Sequence, residues 1–323
     1  MKEIKINFSD FWPDFDNHNN RFLSILKKNY KVIFSEKPDY LIYSCYGNKH
    51  LNYDCIKIFY TGENIVPDFN LCDYAIGFHY LNFEDRYLRM PFAKIEPSYS
   101  KLLTKNIDEK KVLNRKFCNF VYSNSYNSHP MRKDFFKAIS NEKKIDSGGS
   151  LYNNLGYQVD NKLAFISNYK FTIAIENSKI NGYVTEKLIE PMSVNSIPIY
   201  WGNPSIAEEF NIDSFVHIKS DSKNDIRNAV DEVIFLSEND NAYLEKINKP
   251  WLNNEQYEEY DQIISNFFDN IITKPLNEAF KTAKYGFNKS YYKNKLRLIE
   301  KSEFIDKIKF KDKLKLFIKT PFK

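Results

Sequence analysis

The chain of 323 residues is poor in the residue types that mark disulfide-rich, metal-binding and membrane-spanning proteins. Its four cysteines form no CxxC pair, and its five histidines show no metal-ligand spacing. No apolar run approaches the ~18–20 residues that span a bilayer, and the start MKEIKINFSDFW lacks the apolar stretch of a signal peptide. We therefore expect small buried thiols in a reducing compartment, no metal site, and a cytoplasmic protein.

Glycine is also scarce, whereas aromatic residues are abundant, with 27 Phe and 23 Tyr. That apolar content is enough for sizeable cores and excludes wholesale disorder. The net charge is +5, but residues 293–323 carry eleven basic and four acidic residues, a net +7. The rest of the chain therefore sums to −2. A basic tail on a nearly neutral body does not favour nucleic-acid binding.

Strand-like and helix-like segments alternate over the first hundred residues and again after a polar stretch at 101–116. This alternation favours parallel sheets covered by helices. The sequence therefore predicts an α/β protein with two Rossmann-like domains facing each other across a cleft. The predicted strands are 4–8, 31–35, 40–44, 55–60, 73–78, 117–123, 171–176, 196–201 and 214–218, and the predicted helices are 22–28, 131–140, 185–194, 225–236 and much of 255–272.

The basic tail, KSEFIDKIKFKDKLKLFIKTPFK, fits two patterns. Its apolar residues follow a period of two that is broken at Asp312, and a subset of them also fits one face of a helix. Lysine beside apolar side chains suits the surface of an anionic membrane. The sequence thus predicts peripheral contact with the inner face of the cytoplasmic membrane, and the alternative is a solvated terminus.

The segment NYKFTIAIENSKINGYVTEKLIEPMSVNSIPIYWGNP carries the strongest site pattern. A buried strand ends near Glu176, and a helix begins near Thr185 after a polar turn. Ligands of open α/β sheets bind beyond the carboxyl ends of strands, and helix N-termini offer free N–H groups to anions. We expect a diphosphate at this helix start, with Lys187 adding positive charge and Glu186 accepting hydrogen bonds from ribose hydroxyls. The alternative is an ordinary strand–turn–helix with solvated side chains.

The second pattern is FYTGENIVPDF, in which a predicted strand runs into the turn that carries Glu63. A sugar hydroxyl is a poor nucleophile until a base removes its proton. A carboxylate at the end of a strand, in a partly dehydrated cleft, suits that task. The sequence therefore indicates Glu63 as a candidate general base, against the alternative of a solvated turn glutamate.

Weaker patterns lie in three other segments. In SNSYNSHPMR, Arg132 near a helix start is suited to a bidentate clamp on phosphate oxygens, and His129 is an alternative base. The turn 148–150 is glycine-rich but lacks the spacing of a dinucleotide fingerprint or a P-loop. The sequence Asp14-Phe15-Asp16 has the DxD form of metal-dependent transferases, but its place before the first helix argues against metal binding.

The motifs YKFTIAIENSKINGYVTEKL and IPIYWGNPSI closely resemble the signature of family ten glycosyltransferases, the α-1,3/α-1,4-fucosyltransferases. FYTGENIVPDFNLCDYAIGF, DRYLRMPF and SGGSLYNNLGY are similar to the bacterial branch, which includes the Helicobacter Lewis-antigen enzymes. The resemblance covers residues 1–270 and implies a GT-B fold, a donor held by the C-terminal domain, and no obligatory metal. The chain departs from the Helicobacter enzymes in lacking heptad repeats and in carrying Tyr152 where a relative has a basic residue.

The resemblance also implies roles for six residues. Glu63 matches the general base, Arg132 the arginine that holds the diphosphate, and Lys187 the residue that neutralises phosphate. Asn177 and Tyr183 match donor-contacting positions, and Glu186 matches the residue that binds the nucleotide ribose.

The resemblance finally implies a reaction and a role for each domain. We expect inverting transfer of L-fucose from GDP-fucose to the 3-hydroxyl of N-acetylglucosamine in an N-acetyllactosamine-like acceptor, as in Lewis antigens of lipopolysaccharide or glycoprotein. Residues 1–105 would bind the acceptor, residues 112–275 the GDP-sugar, and residues 276–323 would form a helical, basic tail. The alternatives are a GT-B transferase for another GDP-linked sugar and a non-catalytic glycan-binding protein.

Overall fold

The computed structural model describes residues 1–123, 126–253, 260–283 and 285–319. The chain divides into two compact units. The first comprises Met1–Ile76, Asn82–Leu88 and Asp261–Lys323, and the second comprises Gly77–Leu81 and Arg89–Tyr260.

Strands and helices alternate along much of the chain. The strands are β1 (Lys2–Ser9), β2 (Tyr30–Phe34), β3 (Tyr40–Tyr43), β4 (Ile56–Tyr60), β5 (Tyr74–Gly77), β6 (Tyr87–Arg89), β7 (Lys116–Phe120), β8 (Asp146–Ser147), β9 (Tyr169–Ile175), β10 (Ile197–Trp201) and β11 (Val216–His217). The helices are α1 (Arg21–Asn29), α2 (Phe92–Ile95), α3 (Glu109–Leu113), α4 (Met131–Glu142), α5 (Lys162–Ile166), α6 (Glu186–Ser193), α7 (Lys223–Glu238), α8 (Asp240–Asn248), α9 (Tyr260–Ile272), α10 (Leu276–Ala279) and α11 (Phe287–Lys319).

The first unit is organised around a six-stranded sheet in the order β2-β1-β3-β4-β5-β6. Strands β1 to β5 pair in parallel, with Ile6 opposite Tyr40 where β1 meets β3. Helix α1 begins after Asn20, whose side chain accepts a hydrogen bond from the Leu23 N–H at 2.9 Å. Because neighbouring strands run the same way, the carboxyl ends of β1, β3 and β4 lie side by side at one edge.

The second unit contains a five-stranded parallel sheet in the order β11-β10-β9-β7-β8. Every residue of the central strand β9 is buried, as expected for a parallel strand covered on both faces. Helix α6 begins after Thr185, whose hydroxyl oxygen accepts a hydrogen bond from the Lys187 N–H. Helix α4 begins directly after Pro130, whose fixed φ suits a helix start.

The two parallel sheets confirm the predicted α/β class. Two predicted strands are clearly shorter than expected. The strand predicted at 117–123 ends at Phe120. Of 214–218 only Val216–His217 is a strand, because Ile212–Ser214 forms a 3₁₀ turn capped by the Asn211 side chain. Helices α2, α3, α5, α8 and α10 and the short strands β6 and β8 had no predicted counterpart. The polar stretch 101–116 contains α3, and residues 254–259 of the predicted helix 255–272 lie outside the described residues. The domain limits at 105, 112 and 275 stay a prediction.

The basic tail begins as a helix, the second of its two predicted patterns, because α11 spans Phe287–Lys319. Its first turns pack against the N-terminal part of the first unit, to which the helix belongs. The Tyr291 hydroxyl donates to Asp68 Oδ2 at 2.7 Å, and the Tyr292 hydroxyl donates to the Leu51 carbonyl. Within the described ranges, no helix combines the length and apolarity needed to cross a bilayer. The predicted membrane contact falls mainly on tail side chains outside the described part of the chain and stays a prediction.

The cysteines behave as packed thiols. Cys55, Cys72 and Cys118 are buried, Cys45 is half-buried, and all four are free. Burial raises the pKa of the Cys55 thiol to about 12, so this thiol stays protonated at neutral pH. The prediction of small buried side chains is confirmed for three of the four.

Candidate functional site

The first candidate region is the edge of the first sheet where β1, β3 and β4 end. Asp10 follows β1 directly, Tyr46 lies three residues after β3, and Glu63 lies three residues after β4. The sheet order makes these three strands neighbours, so the loops that follow them meet. Ligands of open α/β sheets bind beyond this kind of edge.

The Glu63 side chain is half-buried and held by its neighbours. The Tyr46 hydroxyl donates a hydrogen bond to Glu63 Oε1 at 3.0 Å. The Glu63 N–H donates to Thr61 Oγ1 at 2.9 Å, and the Cys45 sulfur lies 3.2 Å from the same oxygen. The carboxylate predicted as a general base thus has a defined position at the carboxyl end of β4.

The second candidate region is the carboxyl end of β9 in the second unit. Glu176 follows β9 directly, and its side chain is fully buried. Its Oε1 accepts hydrogen bonds from the Thr185 N–H at 2.8 Å and the Thr185 hydroxyl at 3.0 Å. A Cβ at Gly202 would lie 2.5 Å from Glu176 Cγ, so the chain needs glycine there. Glu176 therefore ties the strand end to the start of α6.

Lys187 projects its ammonium group into this acidic corner. Its Nζ lies 3.1 Å from Thr185 Oγ1, 3.0 Å from Glu186 Oε1 and 3.5 Å from Glu176 Oε2. Burial alone would lower the pKa of Lys187, but the two carboxylates outweigh burial and raise it. Burial would raise the pKa of Glu186, but Lys187 and Lys162 lower it to about 2. A full positive charge and an ionised carboxylate are therefore held at the N-terminus of α6.

Arg132 lies in the first turn of α4 and is only 5% exposed. Its Nε donates to the Ile175 carbonyl at 3.2 Å, and another guanidinium nitrogen donates to Asn177 Oδ1. The guanidinium carbon lies 4.5 Å from the centre of the Tyr122 ring. The structure thus brings Arg132 and Asn177 together just beyond the end of β9, the strand end that Glu176 ties to α6.

Tyr183 lies in the core of the second unit, 2% exposed, with its ring 4.9 Å from that of Phe78. A donor contact by Tyr183 stays a prediction. His129, the alternative base, packs its ring 4.6 Å from Trp201 and donates its backbone N–H to the Asn177 carbonyl at 2.9 Å. These contacts give His129 a structural role in the loop before α4.

The DxD-like segment forms a turn. Asp16 Oδ1 accepts hydrogen bonds from the His18 N–H at 2.8 Å and the Asn19 N–H at 3.2 Å. Over the residues that the structure describes, no group of three or more His, Cys, Asp or Glu could hold a metal ion.

The glycine-rich turn 148–150 serves close packing. A Cβ at Gly149 would overlap the Tyr122 carbonyl oxygen, so only glycine fits against this backbone. Tyr152 adopts a left-handed conformation, with φ 56°, and stacks its ring on that of Phe136 with centroids 4.8 Å apart. This turn therefore packs against the loop that follows β7.

Two residues of these regions were not among the predicted functional candidates. In the sequence analysis, Glu176 only marked the end of a strand. An acidic residue directly after a buried apolar strand could itself have indicated a specific ion-pair or hydrogen-bond partner, because buried charges are paired. Tyr46 carries no sequence signal at all. Its contact with Glu63 depends on the neighbouring positions of β3 and β4, which the linear pattern does not provide.

Comparisons with known proteins identify the family of the chain. The chain matches the alpha-(1,3)-fucosyltransferase FucT N-terminal domain over residues 6–95 and the C-terminal domain of glycosyltransferase family 10 (fucosyltransferase) over residues 111–282. The chain therefore belongs to glycosyltransferase family 10, as the motif resemblance predicted. Both candidate regions lie within the matched segments.

Individual relatives extend this result. An alpha-(1,3)-fucosyltransferase FucT of Helicobacter pylori is 35% identical over 322 residues, which covers 86% of this chain but only 65% of the relative. The crystal structure of an alpha1,3-fucosyltransferase with GDP-fucose matches with a TM-score of 0.71 at 33% identity, covering 85% of this chain and 92% of that chain. A crystal structure of an alpha1,3-fucosyltransferase with GDP gives a TM-score of 0.73 at 32% identity, covering 88% of this chain and 93% of that chain. These likenesses confirm the predicted GT-B type of fold.

Proposed function

We propose that the protein transfers L-fucose from GDP-fucose to a hydroxyl group of a glycan acceptor, with inversion at the anomeric carbon. The observation that carries the proposal is the match over 85% of the chain to an alpha1,3-fucosyltransferase crystallised with GDP-fucose. The cationic groups at the start of α6 and the carboxylate at the end of β4 supply the two chemical functions that such a transfer needs.

The donor diphosphate is held in the second unit. Lys187 supplies a full positive charge, Arg132 offers a planar guanidinium fork, and the N-terminus of α6 adds the positive end of the helix dipole. Glu186 accepts hydrogen bonds from ribose hydroxyls, and Asn177 and Tyr183 complete the donor contacts. When the bond between fucose and GDP breaks, negative charge develops on the departing diphosphate oxygen. Fixed cations stabilise that charge more in the transition state than in the ground state.

The acceptor is activated by Glu63. Its carboxylate takes the proton of the acceptor hydroxyl while that oxygen attacks the anomeric carbon from the face opposite GDP. One C–O bond forms as the other breaks, so the configuration inverts in a single displacement. A positioned base of this kind accelerates a reaction by about 10²–10⁴-fold.

The acceptor we propose is the 3-hydroxyl of N-acetylglucosamine in an N-acetyllactosamine-like glycan, such as a Lewis-type surface glycan. The support is the alpha-(1,3) linkage in the name of the Helicobacter pylori relative. We also propose that no divalent metal is required, because Lys187 and Arg132 provide the positive charge that a metal ion otherwise supplies to a diphosphate.

The test is a transfer assay with N-acetyllactosamine and GDP-fucose in the presence of EDTA, with the product linkage determined by NMR. We expect fucosylated product that carries an α-1,3 bond. Consumption of a different GDP-sugar in place of GDP-fucose would support the alternative donor. Failure of every GDP-sugar to bind in calorimetry would instead support a non-catalytic glycan-binding protein.

The affinity for GDP-fucose should depend little on pH. The pKa of Glu186 is lowered to about 2 and that of Lys187 is raised, so above about pH 5 the carboxylate stays ionised and the ammonium stays protonated well past neutrality. We expect dissociation constants from calorimetry to change by less than about threefold between about pH 5.5 and about pH 8.5. A loss of affinity by tenfold or more within this window would show that other groups control donor binding.

The basic tail is proposed to contact an anionic membrane from the cytoplasmic side. The support is the net charge of +7 over residues 293–323, together with the helix Phe287–Lys319 that carries residues 293–319 of this stretch. We expect the protein to sediment with vesicles containing anionic lipid and not with vesicles of neutral lipid at low salt. Equal behaviour with both vesicle types would contradict the proposal.

A further inference from the structure

The loop after β3 is fixed to the loop after β1 through one carboxylate. Asp10 adopts a left-handed conformation, with φ 58°, which turns its side chain towards residues 47–50. Asp10 Oδ1 accepts from the Lys49 N–H at 2.9 Å, and Oδ2 accepts from the His50 N–H at 2.8 Å. The Asp10 carbonyl accepts from the Tyr46 N–H at 2.9 Å. Asp10 therefore fixes the position of the Tyr46 backbone.

The same carboxylate is paired with an imidazole. His50 Nδ1 lies 2.8 Å from Asp10 Oδ2, and the His50 ring stacks on Tyr43 with centroids 4.2 Å apart. Burial would raise the pKa of Asp10, but hydrogen bonds from the side chain and backbone of His50 and from the backbone of Lys49 outweigh burial and lower it. Asp10 is therefore ionised at neutral pH and keeps its partners. A Cβ at Gly47 would overlap Asp10 Oδ1, so this loop packs directly against the carboxylate.

The side chain held by this loop reaches the proposed base. The Tyr46 hydroxyl donates to Glu63 Oε1 at 3.0 Å, and the Tyr46 ring meets the edge of the Trp12 ring with centroids 6.2 Å apart. Tyr46 is 48% exposed, which is unusual for an aromatic side chain that serves only the core. One carboxylate oxygen of Glu63, Oε1, is thus engaged by the Tyr46 hydroxyl.

We propose that Tyr46 is a positioning residue for Glu63. Its hydroxyl orients the carboxylate so that Oε2 faces the acceptor hydroxyl, and Asp10 and His50 hold the loop that carries it. The inference rests on the proposed function of Glu63 as general base. A small displacement of a reacting group lowers the reaction rate substantially. The hydrogen bond that fixes one oxygen of Glu63 should therefore contribute to kcat rather than to substrate binding.

The test is a double-mutant cycle between Tyr46→Phe and Glu63→Gln. Tyr46→Phe removes only the hydroxyl and keeps the ring beside Trp12. We expect kcat for fucose transfer to fall about 10-fold or more, with the KM values for donor and acceptor changed by less than about twofold. In the Glu63→Gln background the same substitution should change kcat by less than about twofold, because the group that Tyr46 positions is already gone.

The matched control is Tyr291→Phe, which removes another exposed tyrosine hydroxyl that donates to a carboxylate in the same unit. We expect this variant to transfer fucose at the unmodified rate. An unchanged kcat in Tyr46→Phe would overturn the proposal, as would an equal loss in both Glu63 backgrounds or an effect confined to the acceptor KM. A parent protein that binds GDP-fucose but transfers nothing would instead contradict the proposed function itself.

Discussion

Replacing Glu63 by glutamine should lower the rate of fucose transfer by about 10²–10⁴-fold. Glutamine keeps the size of the side chain and an oxygen that can accept the Tyr46 hydroxyl, but an amide cannot take a proton from the acceptor. The groups around Lys187 that we propose to bind GDP-fucose belong to other elements and are not changed by the substitution. GDP-fucose affinity measured by calorimetry should therefore equal that of the unmodified protein while turnover falls.

The control for this variant is Glu36→Gln. Glu36 is an exposed glutamate in the same unit, in the loop after β2, so its substitution removes the same charge from the first unit. We expect full activity from this control. Near-normal transfer by Glu63→Gln would remove Glu63 from the role of base, whereas equal losses in both variants would point to a general effect of charge.

Replacing Lys187 by methionine should weaken GDP-fucose binding by about 100-fold and also destabilise the protein. Methionine keeps most of the apolar stem but removes the charge proposed to face the diphosphate, and charge-assisted hydrogen bonds each contribute about 1.5–3 kcal/mol. The substitution also leaves Glu176, which is fully buried, without its ion-pair partner. Breaking one partner of a buried pair typically costs about 3–5 kcal/mol.

The two effects can be separated with Glu176→Gln in the same chain. Glutamine removes the buried charge and can still accept the hydrogen bond from the Thr185 N–H through its amide oxygen. The double variant should therefore regain most of the lost thermal stability but none of the lost affinity for GDP-fucose. Recovery of donor affinity together with stability would mean that Lys187 supports the fold and does not contact the donor.

The sequence predicted the strands well because their apolar runs are continuous. β9 and β10 are wholly buried, and such segments carry a strong signal whatever their neighbours are. Short strands were predicted less accurately. Val216–His217, for example, contributes only two residues to its sheet and depends on pairing with β10. Their identity as strands is set by tertiary pairing and not by local pattern.

The candidate site also has one part that the sequence predicts and one part that it does not. Thr185, Glu186 and Lys187 are adjacent in the chain, so a helix start suited to an anion could be predicted from the sequence. The contact between Tyr46 and Glu63 joins the loops that follow β3 and β4, two neighbouring strands of the sheet. Along the chain the two residues are separated by residues 47–62. No periodicity reports such a contact, because it depends on the order of strands and on the left-handed turn at Asp10.

The most direct test of the proposed mechanism is the anomeric configuration of the transferred fucose, compared by NMR with that of fucose in the donor. In this mechanism one carboxylate, that of Glu63, removes a proton, and cations stabilise the leaving diphosphate. A single displacement of this kind must invert the anomeric centre, so we predict a product whose configuration is opposite to that of the donor. Retention of configuration would contradict the mechanism, because it requires two successive displacements or attack from the same face as the leaving GDP.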